Sequence, residues 1–118
     1  QMRSWPKSWL CDDSDLAPGA ALVAALSPFV CHLHEIGLAP RTLRRHLDNL
    51  WLLGGELIRH RVMDKSPIPP LSEAVDDEGG PLLYKACDEA EQRSFDATCR
   101  ALHRFLRKGE ERNASVRS

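Results

Sequence analysis

The stretch Leu33-His34-Glu35-Ile36-Gly37-Leu38-Ala39-Pro40-Arg41-Thr42-Leu43-Arg44-Arg45-His46-Leu47 (residues 33–47) decides the fold. Apolar residues at helical spacing run into Gly37, which can take the left-handed conformation that stops a helix, and Leu38 follows to fold back on the last turn. Pro40 then opens a second helix, at a position where its missing N–H does no harm. Two helices joined by so short a link are expected to pack on each other.

Upstream, Leu22, Leu26, Phe29, Val30, Leu33 and Ile36 recur at helical spacing over residues 18–36 and fill one stripe. Pro18 suits the first turn. Pro28 lies inside the pattern and is expected to kink or split the helix, because it cannot donate to residue 24. Residues 1–17 hold Trp5, Trp9 and Leu10 among proline and aspartates, which predicts an irregular aromatic arm. Its tryptophans either complete the core or offer faces for stacking on bases. Downstream, Leu43, Leu47, Leu50, Trp51, Gly54, Leu57 and Ile58 share one side of the second helix, with Leu52 pointing away from the main stripe. The Gly54-Gly55 pair implies close approach of another segment, the last helix or the aromatic arm, with a kink or helix end at Gly54 as the competing reading.

Residues 66–84 contain Pro67, Pro69, Pro70, Gly79, Gly80 and Pro81 around Asp76-Asp77-Glu78. This composition predicts a connector with one short helix over 71–75, after which Leu82, Leu83 and Tyr84 tuck back into the core. The last helix is expected from residue 88 or 89 to 108, buried along Phe95, Cys99, Leu102 and Leu106, and ended by Gly109. Residues 109–118 read as a flexible tail. The expectation is an all-α fold, a small bundle of about four helices forming one domain over 18–108.

The chain has 118 residues, 16 Lys+Arg against 17 Asp+Glu, and 42% hydrophobic residues. That length suits a single core, and the apolar content is too high for general disorder. No uninterrupted apolar run approaches the roughly 18 residues of a membrane span and no basic leader precedes one, so a soluble, cytoplasmic protein is expected. Cys11, Cys31, Cys87 and Cys99 are irregularly spaced with no Cys-x-x-Cys pair, which reads as reduced, mostly buried thiols rather than disulfides. A helix would put Cys31 and His34 on one face beside His32, yet two ligands without a third make no metal centre.

With a net charge of −1, the distribution says more than the sum. Residues 40–72 carry 6 basic and 3 acidic side chains, residues 73–91 carry 1 and 7, and residues 92–118 carry 7 and 3. An acidic connector thus separates two basic blocks. On the last helix Arg93, Arg100, Arg104 and Arg107 fall within about 60° of one another, opposite the apolar stripe, with Lys108 beside them. They cover about 21 Å at 1.5 Å per residue, and only Asp96 lies close enough on that helix to neutralise part of the row. Such a row is either a solvated face or a ridge for phosphate, whose oxygens the guanidinium fork binds in pairs. The second helix adds Arg41, Arg44 and Arg45 at its N-terminal end, where backbone N–H groups also favour phosphate. Asp48 and Glu56 are placed to pair with Arg45 and Arg59.

Residues 33–47, with the apolar continuation to residue 58, resemble the core-binding, SAM-like helical domain at the N-terminal side of tyrosine recombinases and phage integrases. There a helix ends in Gly-Leu-Ser-Pro, and Thr and a basic, apolar helix follow. The resemblance is specific over about 25 residues and extends to residues 18–108, where the apolar-basic last helix is similar to the final helix of that domain. It implies a bundle that holds one side of a DNA duplex while a separate catalytic domain grips the other. Pro40, Thr42 and Leu43 match the turn motif, and Arg41, Arg44 and Arg45 its basic positions. The row from Arg93 to Arg107 rests on helical geometry alone.

Catalysis is not expected. Recombinase chemistry needs an Arg, a Lys, a His-x-x-Arg pair and a nucleophilic Tyr, because phosphoryl transfer needs charge stabilisation around an activated nucleophile. The chain has no His-x-x-Arg, and its one tyrosine is Tyr84 in the connector. It also lacks a Gly-rich phosphate loop, a Gly-x-Ser-x-Gly elbow and a His-Glu-x-x-His. His103, flanked by arginines, reads as a solvent-edge residue or a phosphate contact. The expected role is non-catalytic binding of duplex DNA through Arg41, Thr42, Arg44, Arg45, Arg93, Arg100, Arg104, Arg107 and Lys108, without a cofactor or metal, accessory to or derived from a mobile-element recombinase. The alternative is a protein-interaction module that keeps the fold without DNA, its association governed by an apolar side near Leu52 or Trp9.

Overall fold

The computed structural model describes residues 2–10, 12–83 and 88–117, with side chains as far as residue 110. The described residues are helical or irregular, with no strand among them. They form α1 (Trp5–Ser8), α2 (Leu16–Glu35), α3 (Pro40–Asp64), α4 (Leu71–Ala74) and α5 (Glu89–Arg117), with short 3-10 turns at Met2–Ser4 and Asp13–Asp15. The chain divides into two compact units, Gln1–Pro69 and Pro70–Ser118.

In the first unit the link between α2 and α3 is the one expected. Gly37 has φ +72°, and Pro40 stands in the first turn of α3. The two helices pack along Leu22, Leu26, Phe29, Val30 and Leu33 of α2 and Leu50, Leu53, Leu57 and Ile58 of α3, all buried. Ile36, expected on the buried stripe, is 52% exposed, because it lies past the last turn of α2.

Pro28 neither splits α2 nor ends it. Burial of Leu26 and Phe29 on either side offsets the hydrogen bond it cannot make. The turns from Asp13 to Glu35 make one helical run long and apolar enough, by length and composition, to cross a membrane, although no uninterrupted apolar stretch signals it. A core helix passes the same test, and α2 buries one face of this run.

The N-terminal arm is helical where irregular chain was expected. Trp9 is buried, and an added Cβ on Gly54 would collide with its ring. The indole N–H donates to the carbonyl of Trp51 at 3.0 Å, and the Trp51 indole donates in return to the Ser8 hydroxyl at 2.8 Å. The close approach implied by Gly54-Gly55 is therefore made by the arm, and α3 continues through both glycines to Asp64. Below this lock, Asp15 has a fully buried side chain. It accepts from the Asp12 backbone N–H at 3.1 Å and from the Arg61 guanidinium at 2.6 Å, tying the start of α2 to the end of α3. Lys65, with φ +52°, closes α3.

In the second unit α4 spans nearly the expected short helix. Asp76 then folds a tight turn, its carboxylate accepting from the N–H groups of Glu78 (2.8 Å) and Gly79 (3.0 Å). Of the residues expected to tuck inward, Leu83 is buried, Leu82 is 78% exposed, and Tyr84 lies outside the described residues. In extended chain neighbouring side chains point opposite ways, so only one of the two leucines turns in. α5 buries Phe95, Cys99 and Leu102 as predicted, but Leu106 only partly. It does not stop at Gly109. Arg107, Lys108 and Glu110 are strong helix formers, and one glycine costs a helix only about 1 kcal/mol.

Gly54→Ala should destabilise the first unit by about 1–3 kcal/mol, because the new methyl collides with a buried ring. Gly55→Ala, whose Cβ would meet Trp9 only at 3.4 Å, should be neutral or slightly stabilising. Urea unfolding followed by tryptophan fluorescence separates the two. Equal midpoints would mean that the indole does not lie on Gly54.

Candidate nucleic-acid interface

The basic end of α3 is open to water. Arg41, Arg44 and Arg45 are exposed and Thr42 is half-buried. Ala39 supplies no side-chain cap and Pro40 has no N–H, so the backbone N–H groups of Arg41 and Thr42 lack an intrahelical acceptor. The expected Arg59–Glu56 pair forms at 3.0 Å, and His60 approaches the same carboxylate at 3.6 Å. No ion pair joins Arg45 to Asp48 among the described residues, which leaves Arg45 cationic and unneutralised.

His46 follows Arg45 into a partly buried position, and desolvation, with the Arg45 charge second, holds its pKa below the ordinary 6.5. A lowered folded pKa means that the unfolded chain binds the proton more readily. His46 therefore costs no stability above pH 6.5 and destabilises progressively as the pH falls through that value.

On α5, Arg93, Arg104, Arg107 and Lys108 are exposed and Arg100 is half-buried. Arg100 makes one long contact, 3.4 Å from its Nη1 to the Glu78 carbonyl. Asp96, expected to neutralise part of the row, is turned to other partners, accepting from the Gly80 N–H at 3.2 Å and the Gln92 amide at 3.1 Å. The guanidinium row thus faces solvent without an internal carboxylate partner among the described residues.

Cys99 is buried, and desolvation with the nearby Asp96 charge pushes its thiol up to about 12, which makes it inert as a nucleophile. Cys31, expected to be buried, is exposed, because it sits on the side of α2 opposite the Leu26–Phe29–Leu33 stripe. Cys11 and Cys87 lie outside the described residues. No group of three His, Cys, Asp or Glu side chains able to hold a metal occurs among the described residues. Trp9, one candidate centre for protein association, is in the core, and Leu52 is half-buried.

Sequence reasoning missed Ser72. It lines an open cavity of about 390 Å³ with His103, Leu106, Arg107 and Glu110. Spacing along α5 relates His103 to Arg107, one turn apart, but no sequence signal ties either to Ser72, 31 residues before His103.

Compared with protein-family models, with curated proteins and with solved structures, the chain matches none.

The ring protons of His46 should titrate below pH 6.5 by NMR, and Arg45→Gln should raise the midpoint only in part, because burial is the larger cause. A midpoint at or above 6.5 would contradict the burial of this imidazole.

Proposed function

We propose that the chain is a non-catalytic helical domain of the core-binding, SAM-like type that grips duplex DNA through its phosphates, accessory to or derived from a mobile-element recombinase. One observation carries this reading: the row Arg93–Arg100–Arg104–Arg107 on α5 meets water while Asp96, a carboxylate at three- and four-residue spacing from Arg93 and Arg100, is bound elsewhere. A line of like charges repels itself, and a polyanion relieves that repulsion while releasing counterions. Guanidinium forks suit phosphate oxygens in particular. The uncapped start of α3, with Arg41, Thr42, Arg44 and Arg45, supplies a second surface of the same chemistry. Since such contacts are to the backbone, the binding carries little base-sequence preference.

The alternative is a protein-interaction module. Exposed Trp51, Met63 and Leu82, together with the net charge of −1, favour it over free-standing DNA binding. Charge reversal discriminates between the two. Arg100→Glu combined with Arg104→Glu should lower duplex affinity at least about tenfold in a gel-shift titration, with the circular dichroism spectrum unchanged. Unchanged affinity in a folded variant would remove the DNA reading and leave the protein-interaction one.

A further inference from the structure

The charge along α5 is uneven. Residues 88–97 carry Asp88, Glu89, Glu91 and Asp96 against Arg93 alone, whereas residues 98–110 carry Arg100, Arg104, Arg107 and Lys108 against Glu110 alone. Acidic residues in a first turn complement the helix dipole, which accounts for the N-terminal cluster. The dipole favours cations only in the last turn, and α5 runs on to Arg117, so it does not account for the arginines of 98–110.

The acidic turn of the connector deepens this gradient. It is fixed on α5 by the Gly80 N–H on Asp96, by the Gln92 amide, which donates to the Pro81 carbonyl (3.3 Å) and accepts from the Leu83 N–H (3.0 Å), and by Arg100 on the Glu78 carbonyl. Asp77 and Glu78 are held beside the Arg100 end with their side chains exposed. Arg93 and Arg107 each stand seven residues from Arg100, about 10.5 Å along the axis and roughly one Debye length in physiological salt, but Arg93 lies among Asp88, Glu89 and Glu91, with Glu89 one turn before it.

At that far end lies the cavity lined by Ser72, His103, Leu106, Arg107 and Glu110. The Ser72 hydroxyl, a ring N–H of His103 and the Arg107 guanidinium come from α4 and α5, and none is used in a hydrogen bond or ion pair among the described residues. Three donors around one opening suit an acceptor-rich tetrahedral anion, and the one carboxylate on the wall, Glu110, opposes it.

We propose that this cavity seats a phosphate group, and that the acidic turn screens Arg100 while the acidic first turns of α5 screen Arg93, so that a polyanion engages α5 from its C-terminal half. The proposal rests on the polyanion reading above. A backbone phosphodiester and a free phosphate share the chemistry.

Inorganic phosphate and a duplex of about 20 base pairs, titrated separately into the full chain, distinguish the sources. Each should shift the His103 ring resonances by NMR, with Glu110→Gln tightening the binding. For the duplex, Arg107→Gln should cost about tenfold and Arg93→Gln less than about twofold. Asp77→Asn with Glu78→Gln should raise affinity severalfold and make Arg100→Gln more costly. Equal losses at Arg93 and Arg107, or a still His103 with both ligands, overturns the proposal while duplex binding by the row as a whole stands. A His103 shift with phosphate in a chain that binds no duplex supports the cavity as a site for a free phosphate group and overturns the polyanion reading.

Discussion

The hydrogen bond from the Gly80 N–H to the Asp96 carboxylate organises the second unit. An added Cβ on Gly79 would come within 2.5 Å of Asp96, and one on Gly80 within 2.6 Å of the Cys99 sulfur, so only bare backbone fits this close to α5. Gly79 also has φ +143°, a conformation that side chains oppose. The contact presses the connector onto the Phe95 and Cys99 side of the helix and draws Asp96 away from the arginines. What α5 leaves to water is therefore its cationic side. A carboxylate released from this turn would find Arg93 and Arg100 at three- and four-residue spacing and neutralise them in place of a ligand.

The first unit uses a related device. A glycine in α3 removes the side chain that would keep Trp9 out, and two indole N–H bonds then fix the arm on the helix. The pair of buried Asp15 with half-buried Arg61 closes the other side of the arm's connection. Removing Arg61 would strand the buried Asp15 charge without water, so the pair specifies where α2 starts more than it adds net stability. With the arm, α2 and α3 held in this way, the basic start of α3 needs no internal partner and stays open.

The helices were legible because apolar spacing and the Pro40 and Gly37 punctuation agree with each other over residues 33–58. Where sequence and structure differ, one physical cause recurs: burial and helix-forming neighbours outweigh local breakers, so that Pro28 does not split α2 and Gly109 does not end α5. Pro28 and Gly109 each cost a helix a few kcal/mol or less, which flanking burial in one case and strong helix formers in the other outweigh. The arm's short helical turns have no periodicity of their own and depend on Trp9 finding Gly54, a long-range contact that sequence spacing limits to two candidate partners without choosing. Residue type alone does not decide cysteine burial: Cys31 is exposed and Cys99 buried, each following its position on the helix wheel. The arginine row was legible in full, since it needs only the helical repeat. Its freedom from Asp96 and the joining of Ser72 to His103 and Arg107 depend on the connector's path, which composition does not specify.

The proposed grip on DNA depends on those guanidinium groups exchanging counterions for phosphate. The most direct measurement is the dependence of duplex affinity on salt: with three or four phosphates neutralised, log K against log salt should fall with a slope of about −3 to −4. A slope near zero, or no measurable binding at low salt, would contradict it.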